Sequence, residues 1–289
     1  MRRRNLLLYS LLFIAGCTSV TNIPTVTQPK KLRFTVTDAL GMEELQRDYG
    51  ALQAALKEIL QTEIELVPVE SYTAAASALQ SDQLDFVLTG PSEYVVMRAR
   101  TNAVPVIGIT RPNYRTVICV SANSKIKSLA DLKGKKIALW KIGSTSGYLG
   151  PTKLLIDAGL NPQSDLKILM LGSKGLPSLQ KGEVDAWGGS AVKYEQFLQE
   201  QGLSQSTLPV IAKGPLLPKD LFVASSQLNP EAVKLISSLL IKEQEKIVKS
   251  LSFVEEGKYK TSSLVLVNDD EYDMIRDVYK AIGQGNFVQ

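Results

Sequence analysis

The sequence predicts a two-lobed α/β protein with mostly parallel central sheets and two hinge strands. Short apolar runs typical of buried strands alternate with amphipathic helices along most of the chain, which indicates sheets covered by helices on their faces. The alternation restarts after a short helix at residues 128–134 that closes on a glycine, and this restart marks a second lobe. With 289 residues, 44% of them hydrophobic, the chain is long enough to bury two cores.

The first lobe is predicted to begin at residue 32. In the helix at residues 43–60, apolar side chains from Leu45 to Ile59 recur on one stripe, as expected for a helix that packs on a sheet. A proline, Pro91, lies just inside the start of a later helix, where it is favourable. The strands are predicted at 32–36, 64–69, 85–88 and 104–109, and the helices at 43–60, at 73–79 and from the 89–92 turn through residue 98.

The second lobe repeats this pattern before the chain returns to the first. Its strands are predicted at 114–120, 137–140, 166–171 and 184–187, and its helices at 145–158, 177–180 and 192–201. A β-like run at 221–224 comes next. Asn229-Pro230-Glu231 then opens a long helix to about residue 250, because this triplet is a favourable helix start. A final helix is predicted at 271–282.

Two crossings near residues 116–120 and 220–224 join the lobes and are predicted to act as the hinge. On this basis lobe 1 comprises residues 32–117 and 222–289, and lobe 2 comprises residues 118–221.

The N-terminus is predicted to be a lipoprotein signal at residues 1–16. Three arginines precede a short apolar stretch, which ends in Ile14-Ala15-Gly16-Cys17, a pattern that resembles the bacterial lipoprotein signal. Cleavage before Cys17 would leave this cysteine carrying lipid and anchor the protein outside the cytoplasm. Residues 17–31 are rich in Thr, Pro, Asn and Gln and are predicted to be a flexible tether.

Charge and residue usage exclude several classes of function. Removal of residues 1–16 takes away three of the 33 basic residues and none of the 29 acidic ones, which leaves a net charge of +1 and no argument for nucleic-acid binding. The chain has no histidine, which excludes His-containing triads and His metal ligands. Once Cys17 is lipidated, Cys119 has no partner for an intramolecular disulfide and is predicted to be a buried apolar residue.

The segment Gly143-Ser144-Thr145-Ser146-Gly147-Tyr148, here named the Ser-Thr-Ser turn, lies where a predicted strand leads into a predicted helix. The first turn of a helix has backbone N–H groups without partners and a partial positive charge. Glycines allow close approach of a ligand, and hydroxyl groups add donors. The turn therefore predicts a site for a tetrahedral oxyanion. The alternative is that Ser144 or Thr145 only caps the helix.

The Ser-Thr-Ser turn follows residues 127–138, which read Lys-Ser-Leu-Ala-Asp-Leu-Lys-Gly-Lys-Lys-Ile-Ala. Further stretches lie in matching order at 71–75, 85–91, 113–118, 182–186 and 214–220. Together they resemble the phosphate, phosphite and phosphonate substrate-binding lipoproteins of ABC transporters, which are type II periplasmic-binding proteins. The resemblance runs from about residue 32 to residue 220. It implies a Venus-flytrap fold that holds its ligand between the lobes, a permease partner, a monomeric state and no cofactor.

The resemblance also implies the ligand contacts. The hydroxyls of the Ser-Thr-Ser turn would hold the oxyanion, while tyrosines of the first lobe and the crossing would contact it. Asp220 would accept a hydrogen bond from a protonated ligand oxygen, which favours a hydrogenphosphonate-like ligand over sulfate. The implied contacts are Tyr72, Tyr114, Ser144, Thr145, Ser146, Ser173 and Asp220. Taken alone, the two tyrosines could equally serve packing, and Asp220 could be a turn residue.

The chain departs from the family at two stretches. Gly172-Ser173-Lys174 stands where the family has a segment with histidine and an acidic residue, and residues 187–192 contain no acidic residue. An acidic residue there would suit an ammonium group, so the hypothesis is that the ligand lacks an amine. Lys174 either adds positive charge to the site or is a solvated side chain.

The function predicted is that of an extracytoplasmic solute-binding lipoprotein for a small phosphorus oxyanion. Alternatives are another anion, such as a sulfonate or nitrate, an organic cofactor precursor, or a sensor role. An enzyme is disfavoured because Ser144 with Lys141 or Lys153 is the only candidate nucleophile–base pair, and nothing in the spacing supports it.

Overall fold

The computed structural model describes residues 29–252, 254 and 257–289. The predicted signal at 1–16, the lipidation at Cys17 and the tether as far as residue 28 lie outside these residues. The predicted tether extends too far, because residues 29–31 already belong to the fold. Pro29 O accepts a hydrogen bond from the Thr62 hydroxyl at 3.0 Å, and the first strand begins at Lys31.

The strands and helices alternate along the chain as the apolar periodicity predicts. The strands are β1 (Lys31–Val36), β2 (Glu63–Leu66), β3 (Phe86–Thr89), β4 (Val104–Ile109), β5 (Arg115–Val120), β6 (Lys136–Leu139), β7 (Lys167–Met170), β8 (Ala186–Ser190), β9 (Val210–Leu216), β10 (Asp220–Ala224) and β11 (Leu264–Val265). The helices are α1 (Met42–Leu60), α2 (Ala74–Gln80), α3 (Pro91–Thr101), α4 (Gly150–Asp157), α5 (Gly175–Gln180), α6 (Ala191–Glu200), α7 (Pro230–Lys242), α8 (Gln244–Ser250) and α9 (Asp273–Ala281).

Two predicted helices differ in detail. The helix expected from residue 229 to about 250 is broken at Glu243 into α7 and α8. The helix expected from residue 145 begins as a π-helical turn, Thr145–Leu149, and continues as α4. Among the residues that the structure describes, no helix combines the length and the hydropathy that crossing a membrane requires.

The strands form two sheets, one in each lobe. The first has the order β11-β4-β10-β3-β1-β2 and the second the order β7-β6-β8-β5-β9. Each sheet is packed with apolar side chains on both faces. In the first sheet the rings of Phe34, Phe86 and Phe222 lie side by side, with the last two stacked at 5.2 Å between centroids.

Both sheets are mixed: in each, most strands run in one direction, as expected, and the exceptions are β10 and β11 in the first sheet and β5 in the second. β1 runs parallel to β2 and β3, and β6 runs parallel to β7 and β8, whereas β10 is antiparallel to β3 and β4 and β5 is antiparallel to β8 and β9. The reason is the way in which the chain changes lobe. It leaves β4 on the cleft side and enters the second lobe from that same side, so β5 must run against the parallel strands. β10 enters the first lobe in the same way.

The crossings lie before β5 and before β10. β5 pairs only with strands of the second sheet and β10 only with strands of the first. The predicted lobe boundaries at 117/118 and 221/222 therefore cut through these strands. Residues 110–114 and 217–219 connect the sheets instead, which places Asp220 at the cleft edge of the first lobe.

Candidate functional site

A cavity of about 120 Å³, here named the central cavity, lies between the two lobes. Much of its wall comes from segments that follow β1, β2, β3, β4 and β6 and from the first residue of β10, which is where α/β sheets bind ligands. Residues of α1 and α6 and of the segment around Lys258 complete it. Six of the seven predicted ligand contacts line it, namely Tyr72, Tyr114, Ser144, Thr145, Ser146 and Asp220. The fold therefore brings together side chains that are up to 148 positions apart in the sequence.

Ser173 does not line the central cavity. It lies in a neighbouring pocket of about 180 Å³, to which Trp187 and Phe197 also contribute. Trp140 lines both spaces, so its indole ring forms part of the wall between them. The residue that follows Ser173, Lys174, lines neither space. Ser173 thus lies outside the central cavity, in which the family resemblance implies that it contacts the ligand.

The Ser-Thr-Ser turn has the geometry of a helix N-terminus. Ser144 is the capping residue: its Oγ accepts from Gly147 N–H at 3.3 Å, and its carbonyl accepts from Tyr148 and Leu149 N–H at 3.0 Å. The N–H groups of Thr145 and Ser146 precede the first possible helical acceptor, so the turn itself leaves them without a partner. The capping role considered for Ser144 is present, and the same residue also lines the central cavity.

Gly147 packs directly against Trp140. A Cβ atom at Gly147 would lie 2.4 Å from Trp140 Cβ, which is well inside contact distance. Trp140 in turn donates its Nε1–H to the Tyr72 hydroxyl at 3.1 Å, a hydrogen bond that joins the two lobes. The absence of a side chain at residue 147 therefore sets the position of Trp140 at the cleft.

Replacing Gly147 with alanine should displace Trp140 and break its hydrogen bond to Tyr72. Overpacking of this kind typically costs about 1–3 kcal/mol. We expect a lower urea midpoint and a changed fluorescence emission, since Trp140 is one of only two tryptophans. Gly50→Ala is the matched control, because its new Cβ would meet only the flexible end of Gln46 and alanine favours the α1 helix. Equal destabilisation by both substitutions would contradict the packing argument.

The two predicted tyrosines contact different partners. Tyr114 lies at the crossing under the Arg111 guanidinium group, whose Cζ is 3.5 Å from the ring centroid. Burial raises the pKa of both Tyr72 and Tyr114, so each hydroxyl keeps its proton. Both remain hydrogen-bond donors toward the central cavity at neutral pH.

Asp220 belongs to a buried ion-pair network made of Asp38, Arg111, Asp220 and Lys258. Its carboxylate accepts from Arg111 at 3.2 Å and from the Tyr259 hydroxyl at 2.7 Å, and it lies 3.0 Å from Lys258 Nζ. Lys258 also pairs with Asp38. Both Asp220 oxygens are therefore engaged within the protein. The predicted role of accepting a proton-bearing ligand oxygen would have to share these oxygens with two cations.

The network holds Asp38 and Lys258 in the charged form. Burial by itself would raise the pKa of Asp38, but Lys258 outweighs it and the pKa lies below its usual value. Burial would lower the pKa of Lys258, yet Asp220 and Asp38 together hold it well above its usual value. Paired charges of this kind tolerate burial where single charges do not.

Glu93 is a buried carboxyl group that the sequence analysis did not single out. It lies in the first turn of α3, its residue is 5% exposed, and it lines the central cavity. Its Oε1 accepts from the Thr37 hydroxyl at 3.3 Å. Burial, with the nearby charges of Asp38 and Asp220, raises the pKa of Glu93 to about 7. Unlike the carboxylates of the ion-pair network, it has no cation among its hydrogen-bond partners in the described part of the chain.

The walls of the central cavity are not strongly positive. Among the residues that the structure describes, the cations Arg111, Lys141, Lys193 and Lys258 line it together with the acidic residues Asp38, Glu44, Asp48, Glu93 and Asp220. An oxyanion here would be held mainly by hydrogen-bond donors and helix amides. Glu44 and Asp48 come from α1, so acidic groups reach the cleft from a segment that the no-amine hypothesis did not consider.

The strand-end rule could have identified some of the missed residues. Asp38, Glu93 and Arg111 each lie within five residues of the carboxyl end of a predicted strand. No comparable signal marks Lys258, which lies in an irregular segment 38 positions beyond Asp220. Only the folded chain brings it to the cleft.

Comparison with known proteins agrees with this fold and cleft. The sequence model of the family described as "ABC transporter, phosphonate, periplasmic substrate-binding protein" matches residues 34–272. The phosphate-import protein PhnD of Mycolicibacterium smegmatis is 24% identical over 220 residues, which are 70% of this chain and 68% of that protein.

Solved structures share the architecture. PhnD1 of Prochlorococcus marinus in complex with methylphosphonate has a TM-score of 0.73 at 20% identity, over 88% of this chain and 99% of that one. The aliphatic sulphonate binding protein SsuA of Escherichia coli has a TM-score of 0.61 at 21% identity, over 90% and 89%. At these low identities the solved structures support the fold alone. The family assignment rests on the sequence model, which matches residues 34–272. The chain therefore belongs to the periplasmic substrate-binding proteins of phosphonate ABC transporters.

Proposed function

We propose that this protein captures a small phosphorus oxyanion, such as phosphite, a phosphonate or phosphate, between its lobes and delivers it to an ABC importer. The observation that carries the proposal is the Ser-Thr-Ser turn, whose Ser144 and Ser146 hydroxyls and first-turn amides line the small central cavity, while the Thr145 hydroxyl is hydrogen-bonded to Ser92. Tyr72 and Tyr114 add protonated hydroxyls from the opposite wall. The methylphosphonate complex of a structural neighbour supports this ligand class.

The proposal includes the setting in which the protein works. Cleavage before Cys17 would leave a lipid on that cysteine and hold the protein at the extracytoplasmic face of the membrane, with residues 17–28 as the tether. A permease of the ABC transporter is the partner that would receive the ligand. The protein would act as a monomer, and it would neither bind nucleic acid nor catalyse a reaction.

A sulfonate is the second candidate ligand, because a sulphonate binding protein shares the fold. The two classes differ in their protons. Phosphite and phosphonates carry an exchangeable proton near neutral pH, whereas a sulfonate does not. A carboxylate in the cleft, such as Asp220, favours an anion that can also donate a hydrogen bond.

A thermal-shift series on the purified protein tests the ligand class. We expect phosphite or methylphosphonate to raise the unfolding midpoint, since a ligand at 100 times its Kd stabilises a protein by about 2.7 kcal/mol. Phosphate, 2-aminoethylphosphonate, sulfate and taurine complete the series. Tightest binding of 2-aminoethylphosphonate would contradict the no-amine hypothesis, and a response to taurine alone would establish the sulfonate alternative. If no phosphorus oxyanion shifts the midpoint, the proposal is wrong.

Ser146→Ala tests the site itself. Within the described part of the chain no hydrogen bond to the Ser146 side chain is formed, so its removal should leave the fold intact while taking one donor from the anion. Loss of one hydrogen bond to a charged ligand costs about 1.5–3 kcal/mol, which weakens binding roughly tenfold or more. Ser164→Ala, at an exposed serine outside the central cavity, is the control and should bind like the wild type.

A further inference from the structure

The lobes are joined at the cleft by a cluster here named the interlobe latch, made of Ser92, Glu93, Gly143 and Thr145. Ser92 and Glu93 begin α3 in the first lobe, and the other two belong to the Ser-Thr-Ser turn of the second. Ser92 Oγ lies 2.6 Å from each of three oxygens: Glu93 Oε2, the Gly143 carbonyl and Thr145 Oγ1. The Ser92 N–H also donates to Thr145 Oγ1 at 3.1 Å.

Counting protons shows what this cluster requires. A serine hydroxyl donates one hydrogen bond and accepts two. The Gly143 carbonyl can only accept, so the single Ser92 hydroxyl proton must go to it for that bond to form. Thr145 can supply its own hydroxyl proton to Ser92, since its oxygen already accepts the Ser92 N–H. The third contact then forms only if Glu93 donates, and a carboxyl group donates only when it is protonated.

An ionised Glu93 would compete with the Gly143 carbonyl of the second lobe for the Ser92 hydroxyl proton. Its carboxylate and the Gly143 carbonyl would both need the one Ser92 hydroxyl proton, and one of two buried acceptors would be left without a donor. Leaving a buried acceptor unpaired is costly. The contact that crosses between the lobes is therefore satisfied with Glu93 neutral and weakened with Glu93 charged.

The surroundings of Glu93 favour the neutral form. The titratable groups that face it are Asp38 after β1, Asp220 on β10, Tyr72, Tyr114 and Tyr279 of α9. None of these can offer a positive charge. The nearby cations Arg111 and Lys258 are paired with Asp220 and Asp38. The raised pKa of Glu93, about 7, agrees with the proton count.

We propose that Glu93 is a positioning residue for the closed cleft, which holds the interlobe latch together when its carboxyl group carries a proton, so that closure over the ligand takes up a proton. The identity of the ligand in this inference rests on the proposed function, but the latch does not. Its chemistry requires only that Ser92 and Thr145 meet when the lobes close.

Calorimetric titration with methylphosphonate as the probe tests this at pH 6 and pH 8.5. The wild type should take up a larger fraction of a proton on binding at pH 6 than Glu93→Gln, as measured in buffers of different ionisation enthalpy, and the two should differ little at pH 8.5. Glutamine reproduces the neutral acid, because its amide can donate to Ser92 and accept from Thr37. The ratio of wild-type to Glu93→Gln affinity should fall about tenfold between the two pH values, and this ratio cancels the titration of the probe itself.

Two further variants sharpen the test. Glu43→Gln, at an exposed position on α1, should keep the wild-type pH profile. Ser92→Ala should weaken binding at both pH values and remove the extra proton uptake. Equal proton uptake by the wild type and Glu93→Gln, with a constant affinity ratio, would overturn the inference.

Should methylphosphonate fail to bind, the proposed function fails but the latch can still be judged. Small-angle scattering of the ligand-free protein then decides. The wild type should be more compact at pH 6 than at pH 8.5, and Glu93→Gln should be equally compact at both. The same pH response in both proteins would count against the latch.

Discussion

Replacing Asp220 with alanine should lower the free energy of unfolding of the ligand-free protein by about 3–5 kcal/mol. The carboxylate is fully buried and holds two cations, Arg111 and Lys258, whose side chains are each 14% exposed. Removal of the Asp220 carboxylate leaves two cations facing one carboxylate, that of Asp38, which pairs with Lys258 and not with Arg111. Removing one partner of a buried ion pair costs far more than the pair itself contributes, because the remaining charge keeps its desolvation penalty.

Urea unfolding of the ligand-free variant measures this effect, with Asp277→Ala as the control. Asp277 also pairs with a lysine, Lys280, but both side chains are more than half exposed, so the midpoint should hardly change. The experiment also separates two roles of Asp220. A variant that unfolds like the wild type but no longer binds methylphosphonate would show that Asp220 serves the ligand and not the ion-pair network.

Much of the fold could be predicted because strand and helix periods are local properties. The apolar stripe from Leu45 to Ile59 predicts a helix with one buried face, and the apolar run at 137–140 predicts a buried strand. Neither prediction depends on the path of the rest of the chain. Strand direction is not local in this sense. Whether β5 and β10 run with or against their neighbours depends on the side of the sheet at which the chain enters, and no residue within these strands encodes it.

The part of the candidate site that is one continuous turn could be predicted from the sequence. The part that consists of ion pairs between distant residues could not. The Ser-Thr-Ser turn contains its hydroxyls, its glycines and the start of its helix within six residues, so its geometry can be predicted from that segment alone. The ion-pair network joins Asp220 to Arg111, 109 positions earlier, and to Lys258, 38 positions later. Each of these charges resembles an ordinary surface residue until the fold buries it.

Ser173 shows the limit of placing residues by family position. It follows β7 at the cleft edge of the second sheet, as the resemblance implies. In this chain Trp140 lies between the central cavity and the pocket that Ser173 lines. Side chains that line both spaces, Trp140 and Lys193, therefore lie between Ser173 and the other predicted contacts.

Glu93→Gln should stabilise the closed protein, saturated with methylphosphonate, at pH 8 by about 3 kcal/mol and by less than about 1 kcal/mol at pH 5. The pKa of Glu93 is raised from 4.5 to about 7 by burial, so the folded protein retains a proton that the unfolded chain releases. Between these two pH values the wild type loses stability as the pH rises, and above pH 7 the loss is constant. Glutamine carries no such proton and avoids the loss.

Urea unfolding at the two pH values measures the difference, and an unchanged slope with denaturant would show that the midpoint reports stability alone. Glu43→Gln removes an exposed carboxylate by the same chemical change and should follow the wild type at both pH values. The sign is opposite to that expected for Asp38, whose pKa is lowered and whose ion pair with Lys258 strengthens the fold as the pH rises through the acid range. Two carboxyl groups that line one cavity thus respond to pH in opposite directions, because one has a cation beside it and the other has a serine. A gain of the same size at pH 5 and pH 8 would mean that Glu93 is ionised in the folded protein, and that the contact between Ser92 and the second lobe forms without its proton.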